Sequence, residues 1–580
     1  MNNYYSNEKN ILIVLSLFKQ AGIRKIIVSP GATNVSIVAS MQQDPFFEMF
    51  SCVDERSAAY MACGLSEESG EPVVLSCTGA TSSRDYMPGL TEAYYRKLPV
   101  IALTSSQFSS RIGHLIPQVT NRTCPPPDVV VASYNIEHIK DKDDEWSCMI
   151  KVNKALSCLT KQGGGPVHIN LVTNYSKDFS VQELPFANRI LRITQNDIFP
   201  EIPQGRIAIF CSSHKKWKEN ESKAVDSFCA SNNGVVICDH TSNYKGKYRV
   251  LPALLCAQEN FSFENLIPDL CIHIGEVSGA YPLYRFAGKN IWRVSEDGVI
   301  RDTFGHLTKI FEMPEHIFFE HYSGEVKENT YYKQIKDAIG TLERKLNEVD
   351  LPFSNIWAAG QLAPKLPDNS VLHLGILNSL RSWNIFEIPS SVREYSNVGG
   401  FGIDGNMSSL IGASLCDPNR IYYGVFGDLS TFYDINSLAN RNVGNNVRIL
   451  VVNNGRGAEF RLPKQINADI GDDIDMYIAA AGHNGNQSRK LLKSYVESLG
   501  YKYVSADNKD DFRESMPFFL SSEINESIVF EIFTDYKDEC DALQKVRSLT
   551  PPSLLLKAKK KAKETLGDNG FTIIKNILRK

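Results

Sequence analysis

Two polar side chains stand where a hard metal ion could bind. Asp428 follows a run of strand-forming residues at 421–426, and Asn454 follows the next such run at 448–452. Both would lie beyond the carboxyl ends of strands, where ligands bind in parallel α/β sheets. A carboxylate and an amide carbonyl suit Mg²⁺, which commonly completes its octahedron with phosphate oxygens and water. The spacing therefore indicates a magnesium-diphosphate anchor, with ordinary loop turns as the alternative.

The segments that would position these residues alternate between short β-rich runs and helix-length stretches. Apolar residues recur at helical spacing over 11–18, Gly22 ends that stretch, and a buried run follows at 25–28. This alternation predicts a parallel sheet with helices on both faces, and so one α/β domain over residues 1–182. Further β-rich runs of this domain lie at 72–75, 99–103 and 166–171.

The same alternation recurs twice beyond a connector that contains several prolines. It predicts a central α/β domain over 204–325 and a third over 350–545. A basic tail at 551–580 is predicted to be a solvated helix on its own subunit, with docking of a partner as the alternative. The predicted fold class is therefore α/β, with three consecutive domains built on mostly parallel sheets.

Composition narrows the classes of function. The chain has 580 residues, 43% of them hydrophobic, and a formal net charge of -4, which favours neither a nucleic-acid nor a membrane partner. No stretch is apolar enough to cross a bilayer, and the first apolar run lacks a cleavage site, so we expect no signal peptide. Thirteen cysteines without a C-x-x-C pair fit a reducing compartment. We expect a cytoplasmic protein that acts on small molecules.

The Gly-Asp pair at 427–428, followed one strand later by Asn-Asn at 453–454, resembles the thiamine-diphosphate motif of the pyruvate decarboxylase and acetolactate synthase superfamily. The resemblance implies that Asp428, Asn454 and the backbone carbonyl of Arg456 bind Mg²⁺. It also implies that the three domains are pyrimidine-binding, central and diphosphate-binding. Cofactor contacts around the motif would come from Gly427, Asp428, Leu429, Ser430 and Asn454.

A segment at 53–60 resembles the strand-to-helix glutamate segment of the same superfamily. The resemblance implies that Glu55 hydrogen-bonds a ring nitrogen of the cofactor's pyrimidine. This contact would promote the imino tautomer, whose nitrogen removes the thiazolium proton to give the ylid. The alternative for Glu55 is an acidic residue favoured in a first helical turn by the helix dipole.

Other segments resemble parts of the superfamily near the cofactor. Ile403, in Gly-Ile-Asp-Gly at 402–405, would wedge beneath the cofactor and hold it bent, with a core position as the alternative. Gln118 would face the reacting carbon. His483 could relay protons, or be a loop histidine that caps a helix. Further implied contacts to the cofactor are Ser29, Pro30, Gly31, Thr78, Gly79 and Ala80.

Most of the chain resembles the family of 2-succinyl-5-enolpyruvyl-6-hydroxy-3-cyclohexene-1-carboxylate (SEPHCHC) synthase. That family grips substrate carboxylates with arginines, but Thr33 and Val398 stand at two of those positions here. Glu459, beside Phe460, replaces an apolar residue of the family. We therefore expect a remodelled substrate pocket that includes Thr33, Glu459 and Phe460. Arg381 and Arg461 are candidate carboxylate holders, with surface arginines as the alternative.

These resemblances imply a thiamine-diphosphate- and Mg²⁺-dependent decarboxylase or carboligase. The ylid would attack a 2-oxo acid, carbon dioxide would leave, and the enamine would be protonated or joined to an acceptor aldehyde or 2-oxo acid. One alternative is a genuine SEPHCHC synthase of menaquinone biosynthesis. The other is a non-catalytic relative that keeps the fold for binding.

The resemblance also carries expectations about further cofactors and assembly. Residues 204–325 contain no G-x-G-x-x-G fingerprint, and the SEPHCHC branch does not bind FAD, so we expect no flavin. Glu55 lies in the first domain and Asp428 in the third, and the family places the cofactor between these domains of different chains. We therefore expect a homodimer or a dimer of dimers with the active site at the subunit interface.

Overall fold

The computed structural model describes residues 4–461, 468–483 and 485–552. It contains three parallel sheets of six or seven strands with helices between the strands, which confirms the predicted α/β class. The chain forms two compact units. The N-terminal unit comprises the described residues up to Phe199 together with Ser295–Met313. The C-terminal unit comprises Pro200–Val294 and the described residues from Pro314 onward.

The first sheet belongs to the N-terminal unit and has the order β2-β1-β3-β4-β6-β5. All of its neighbouring strands are parallel. Two more strands of this unit, β7 (Leu191–Thr194) and β13 (Leu307–Glu312), pair with each other in parallel. The strands of the first sheet are β1 (Lys25–Val28), β2 (Glu48–Ser51), β3 (Val73–Cys77), β4 (Val100–Ser106), β5 (Ala132–Ile136) and β6 (Val167–Val172).

Helices cover both faces of the first sheet. Alternate residues of its central strands enter two separate apolar cores, with Val74 in one and Val73 in the other, because side chains alternate across a strand. The helix that begins at Glu55 is capped by the Asp54 side chain and ends at Gly70, whose φ of 68° suits a left-handed cap. The helices are α1 (Lys9–Gln20), α2 (Val35–Gln42), α3 (Glu55–Ser69), α4 (Ser82–Asp85), α5 (Met87–Arg96) and α6 (Lys142–Cys158).

The C-terminal unit begins with parallel strands in the order β10-β9-β8-β11-β12. These strands are β8 (Ile207–Cys211), β9 (Gly234–Cys238), β10 (Arg249–Val250), β11 (Leu270–Ile274) and β12 (Ile291–Ser295). The helices of this part are α7 (Glu219–Ser231), α8 (Ala253–Ala257), α9 (Glu315–Tyr322) and α10 (Thr330–Asn347).

The third sheet completes the C-terminal unit, with the order β15-β14-β16-β17-β19-β18. Its central strands are buried along their length, whereas both edge strands are partly exposed. The strands are β14 (Val371–Leu374), β15 (Arg393–Tyr395), β16 (Tyr422–Gly427), β17 (Val447–Asn453), β18 (Lys502–Ala506) and β19 (Ile528–Phe533). The helices are α11 (Asn355–Leu362), α12 (Asn378–Trp383), α13 (Asn406–Ser414), α14 (Asp428–Tyr433), α15 (Ile474–Tyr477), α16 (Leu491–Ser498), α17 (Lys509–Phe519) and α18 (Tyr536–Arg547).

The predicted domain boundaries stay predictions. Of the strands that the structure describes, all except β7 fall within the three predicted segments, and β7 lies in the predicted connector between the first two. The predicted basic tail lies outside the described residues beyond its first two prolines. Among the residues that the structure describes, no helix is both long enough and apolar enough to span a bilayer.

Candidate active site

Asp428 and Asn454 emerge at the same edge of the third sheet. The register pairs Gly427 of β16 with Val452 of β17, so both strands end at the carboxyl edge of the sheet. Asp428 begins α14 directly after β16, and Asn454 directly follows β17. The backbone N–H of Gly455 is close enough to the Asp428 carboxylate to lower its pKa, so the loops after the two strands lie near each other. The structure therefore places the two motif residues where the sequence predicted them.

Hydrogen bonds fix the backbone of the loop that carries Asn454. Asn453 is buried; its Nδ2 donates to Glu531 Oε1 at 2.7 Å and its Oδ1 accepts from the Gly455 N–H at 3.2 Å. Gly455 has a φ of 73°, which allows the chain to turn there. Gln487 Nε2 donates to the backbone oxygens of Asn453 at 2.9 Å and Thr534 at 3.0 Å. These contacts hold the loop that carries Asn454 in one position.

Asp428 is a buried carboxylate without a cationic partner in the described part of the chain. Its relative exposure is 6%. Burial raises its pKa to about 7, although backbone N–H groups, those of Leu429 and Gly455 among them, lower it. A buried charge that lacks an ion pair is costly, so this site favours a bound cation.

The donors around Asp428 suit a hard cation. Asn454 Oδ1 accepts from the Arg456 N–H at 3.3 Å, and the Arg456 carbonyl accepts from the Ala458 N–H at 2.9 Å. Each of these oxygens keeps a second lone pair. Within the described residues, no group of three or more His, Cys, Asp or Glu could hold a metal. A cation here would thus be bound by one carboxylate and neutral oxygens, with further ligands from an anion or water, as Mg²⁺ is.

Hydrogen bonds connect the backbone of Ile403 to the start of α14, the helix that begins at Asp428. The Ser430 hydroxyl donates to the Ile403 carbonyl at 2.6 Å. Asn406 Nδ2 donates to the Ile403 carbonyl at 2.8 Å and to Ser430 Oγ at 3.0 Å. The Ile403 side chain remains partly exposed. The structure thus brings Ile403, Ser430 and Asp428 together around α14.

Both arginines proposed as carboxylate holders already have acidic partners. Arg381 Nη1 pairs with Glu459 Oε2. Arg461 pairs with Asp475 at 2.7 Å and with Asp472 at 3.0 Å. Their charges are matched within the chain, so neither presents a free guanidinium to a substrate. Glu459 likewise has its charge matched.

Two other proposed residues lie near the same loops. The ring of Phe460 approaches Gly457, where an added Cβ would come within 3.2 Å of it. His483 is exposed, and its backbone oxygen accepts from the Asn486 N–H at 3.0 Å. Gln487, four residues on, contacts Asn453. Gln487 was not predicted, because a lone glutamine in a polar loop carries no distinctive signal.

In the N-terminal unit, the loops after β1 and β3 meet. The Ser29 N–H donates to the Ser76 carbonyl at 2.9 Å. The Thr33 hydroxyl donates to the Ser105 carbonyl at 3.0 Å and accepts from the Gly79 N–H at 3.3 Å. These contacts bring the segments around Thr33 and Gly79 to the carboxyl edge of the first sheet. The predicted residues that meet at this edge are Ser29, Pro30, Gly31, Thr33, Thr78, Gly79 and Ala80.

Gly31 allows this close approach. A Cβ on Gly31 would lie 1.4 Å from Thr78 Cγ2 and 2.7 Å from Thr78 Cβ. We expect Gly31→Ala to lower the melting temperature, because relieving the overlap costs about 1–3 kcal/mol. Thermal unfolding followed by circular dichroism measures the change.

Two variants serve as controls for this prediction. Gly64→Ala on α3 meets nothing within 4 Å and should stabilise the helix slightly. Thr78→Ser, combined with Gly31→Ala, removes Cγ2 and should restore part of the loss. An unchanged melting temperature in Gly31→Ala would contradict the packing argument.

Glu55 is the first residue of α3. Its side chain is partly exposed, and no ion pair or side-chain hydrogen bond to it occurs within the described ranges. Its charge is near enough to Cys77 and Tyr86 to raise the pKa of both groups, although burial is the main cause in each. Glu55 therefore lies close to the carboxyl end of β3 and remains free to bind a ligand.

Gln118 lies exposed on the long loop after β4, with a φ of 65°. The same loop carries a buried residue that no sequence motif marks. Arg122 is buried, and its Nη1 donates to the Ser105 carbonyl at 3.3 Å. An isolated arginine in a loop gives no sequence signal, since most arginines are exposed.

Known proteins are similar to this chain in sequence. Residues 12–123 match the family described as thiamine pyrophosphate enzyme, N-terminal TPP binding domain. The 2-succinyl-5-enolpyruvyl-6-hydroxy-3-cyclohexene-1-carboxylate synthase of Bacteroides thetaiotaomicron is 29% identical over 568 residues, which is 93% of this chain and 98% of that protein. The synthase of the same name from Bacteroides fragilis is 29% identical over 93% of this chain and 98% of its own length. The one from Porphyromonas gingivalis is 26% identical over 92% of this chain and 96% of its own length. The chain is therefore a thiamine-diphosphate-dependent enzyme that resembles the SEPHCHC synthases over nearly its whole length.

Proposed function

We propose that this enzyme uses thiamine diphosphate and Mg²⁺ to release carbon dioxide from a 2-oxo acid, and then either protonates the product or joins it to an acceptor. The observation that carries the proposal is the buried Asp428 carboxylate, which has no cationic partner in the described residues and lies beside Asn454. A magnesium-bound diphosphate would supply the missing cation and the remaining oxygen ligands. The match of residues 12–123 to a thiamine-pyrophosphate domain supports it.

Each residue has a proposed role. Asp428, Asn454 and the Arg456 carbonyl would hold Mg²⁺, and Ile403 would support the cofactor from below. Glu55 would hold a proton at a pyrimidine nitrogen. When bound, thiamine diphosphate would supply a carbon nucleophile for the 2-oxo group and accept the electron pair that carbon dioxide leaves behind. We propose that the enzyme uses no flavin.

A screen of 2-oxo acids tests the proposed reaction. Carbon dioxide release should require the protein, thiamine diphosphate and Mg²⁺ together, and omission of any one should stop it. Absence of release with every 2-oxo acid, with and without an acceptor aldehyde, would contradict the proposal.

A second candidate function is the SEPHCHC synthase reaction itself. Similarity to synthases of that name along more than 90% of the chain favours it. Thr33 weighs against it, because its hydroxyl is engaged with Ser105 and Gly79 and it carries no charge for a substrate carboxylate. Turnover of 2-oxoglutarate with isochorismate would establish this reaction. A non-catalytic role is disfavoured, since Glu55, Asp428 and Asn454 are all present.

The proposed assembly is a homodimer or a dimer of dimers, in which different copies provide the Glu55 and Asp428 halves of each active site. Apolar side chains exposed along the first sheet's helices support a second copy as partner, since Tyr60, Met61 and Tyr95 are 49%, 46% and 69% exposed. The thirteen free cysteines support action in the reducing cytoplasm.

We expect Met61→Asp to dissociate the dimer, because a carboxylate would have to be desolvated in an apolar interface. Sedimentation equilibrium measures the change in mass. Lys142→Gln, at the exposed start of α6, also makes the net charge more negative by one unit; it is the matched control and should leave the assembly intact. A monomeric native protein with full activity would refute this assembly.

A further inference from the structure

Arg122 is a buried cation without an acidic partner among the described residues. Its relative exposure is 7%. Its Nη1 makes a single hydrogen bond, to the Ser105 carbonyl at 3.3 Å, and its buried Nε has no partner in the described structure. Burial lowers its pKa, and the nearby Arg84 lowers it further. A guanidinium that is desolvated and unpaired is costly, which indicates that an anion normally completes the site.

Residues of β4 and of the loops after β1 and β3 surround the Arg122 guanidinium. A Cβ on Gly79 would lie 2.3 Å from Nη2 and 2.5 Å from Nη1 of Arg122, so only glycine admits the guanidinium there. Thr33 donates to the same Ser105 carbonyl as Arg122 does. The guanidinium therefore lies at the carboxyl edge of the first sheet, next to the threonine that replaces a family arginine.

The cavity beside Arg122 has the charge of an anion site. Its charged or polar lining residues are Arg122, Arg84, Ser83, Thr104, Cys124 and His168, the other lining side chains are apolar, and no aspartate or glutamate is among them. His168 is neutral, because burial lowers its pKa to about 4, and both of its ring nitrogens are engaged by Thr104 and Ser133. The cavity of about 30 Å³ has room for a group the size of roughly two water molecules. A carboxylate fits this space, and a whole substrate does not.

We propose that Arg122 binds a carboxylate of the 2-oxo acid substrate. It would thereby perform the role of the arginine that the SEPHCHC synthase family has at the position of Thr33. The inference rests on the proposed function for the identity of the substrate. Arg381 and Arg461 are paired with acids, whereas Arg122 keeps most of its donors free. Its planar fork matches a carboxylate with two hydrogen bonds.

Anion binding to the cofactor-free protein tests the inference without catalysis. Pyruvate should raise the melting temperature of the native protein, and its neutral methyl ester should not. Arg122→Gln should lose this response. Arg122→Lys should keep a weaker one, because an ammonium is a point charge without the planar fork.

The stability of the variants separates a binding role from a structural one. Without any anion, Arg122→Gln should melt at the native temperature or above, since it removes an unpaired buried charge. Arg192→Gln is the matched control, because Arg192 is also largely buried but pairs with Glu312 at 2.8 Å, so its loss should lower the melting temperature. Destabilisation of Arg122→Gln to the same extent would overturn the inference.

Steady-state kinetics complete the test. In Arg122→Gln, KM for the 2-oxo acid should rise about 10- to 100-fold, with a smaller change in kcat, because a charge-assisted contact to the substrate is lost. An unchanged KM together with an unchanged response to pyruvate would refute the role of Arg122. If no 2-oxo acid is turned over but pyruvate still binds through Arg122, the carboxylate site stands and the proposed reaction fails.

Discussion

Glu55→Gln should reduce turnover of the 2-oxo acid by about 10²- to 10⁴-fold while leaving the affinity for thiamine diphosphate nearly unchanged, because glutamine has the same shape but cannot hold the proton. The fold should be unaffected. Glu55 has no ion pair within the described ranges, and the Asp54 cap that starts α3 is retained.

Two measurements check this expectation. Carbon dioxide release reports turnover, and quenching of tryptophan fluorescence by added cofactor reports binding. Glu92→Gln, an exposed carboxylate on α5 of the same unit, is the matched control and should be fully active. Native turnover in Glu55→Gln would defeat the proposed role, and loss of cofactor affinity would assign Glu55 to binding instead.

Asp428→Asn should weaken Mg²⁺-dependent binding of thiamine diphosphate by at least about 100-fold, since the only carboxylate of the proposed metal site is lost and ligand charge dominates affinity for hard cations. Asparagine can still accept the backbone hydrogen bonds that surround this position. The metal-free protein should therefore fold normally.

Titration of the cofactor with and without Mg²⁺ measures this effect, and circular dichroism monitors the fold. Asp510→Asn, whose side chain is 90% exposed on α17, is the control for loss of one negative charge and should bind the cofactor normally. Equal cofactor affinity in Asp428→Asn and the native protein would remove Asp428 from the metal site.

The central strands of the sheets were predictable from the sequence. The run at 25–28 is β1 with the same bounds, and the runs at 421–426 and 448–452 correspond to β16 and β17 within one residue at each end. Strands buried on both faces are continuous apolar runs, and this pattern is visible in the sequence.

The edge strands were missed for a physical reason. β2, β5, β15 and β18 lie at the edges of the two six-stranded sheets and are partly exposed, so their residues form no continuous apolar run. Pairing with a neighbour, rather than local pattern, makes these segments strands.

The sequence by itself determined the α/β class and the placement of Asp428 and Asn454 after two buried strands, because both follow from local patterns along the chain. Only the tertiary structure decided which arginines are neutralised. Arg381 and Arg461 find acids, whereas Arg122 is buried against Gly79 without one in the described chain. The charge environment of a side chain depends on residues distant in sequence, and folding alone brings those residues into contact.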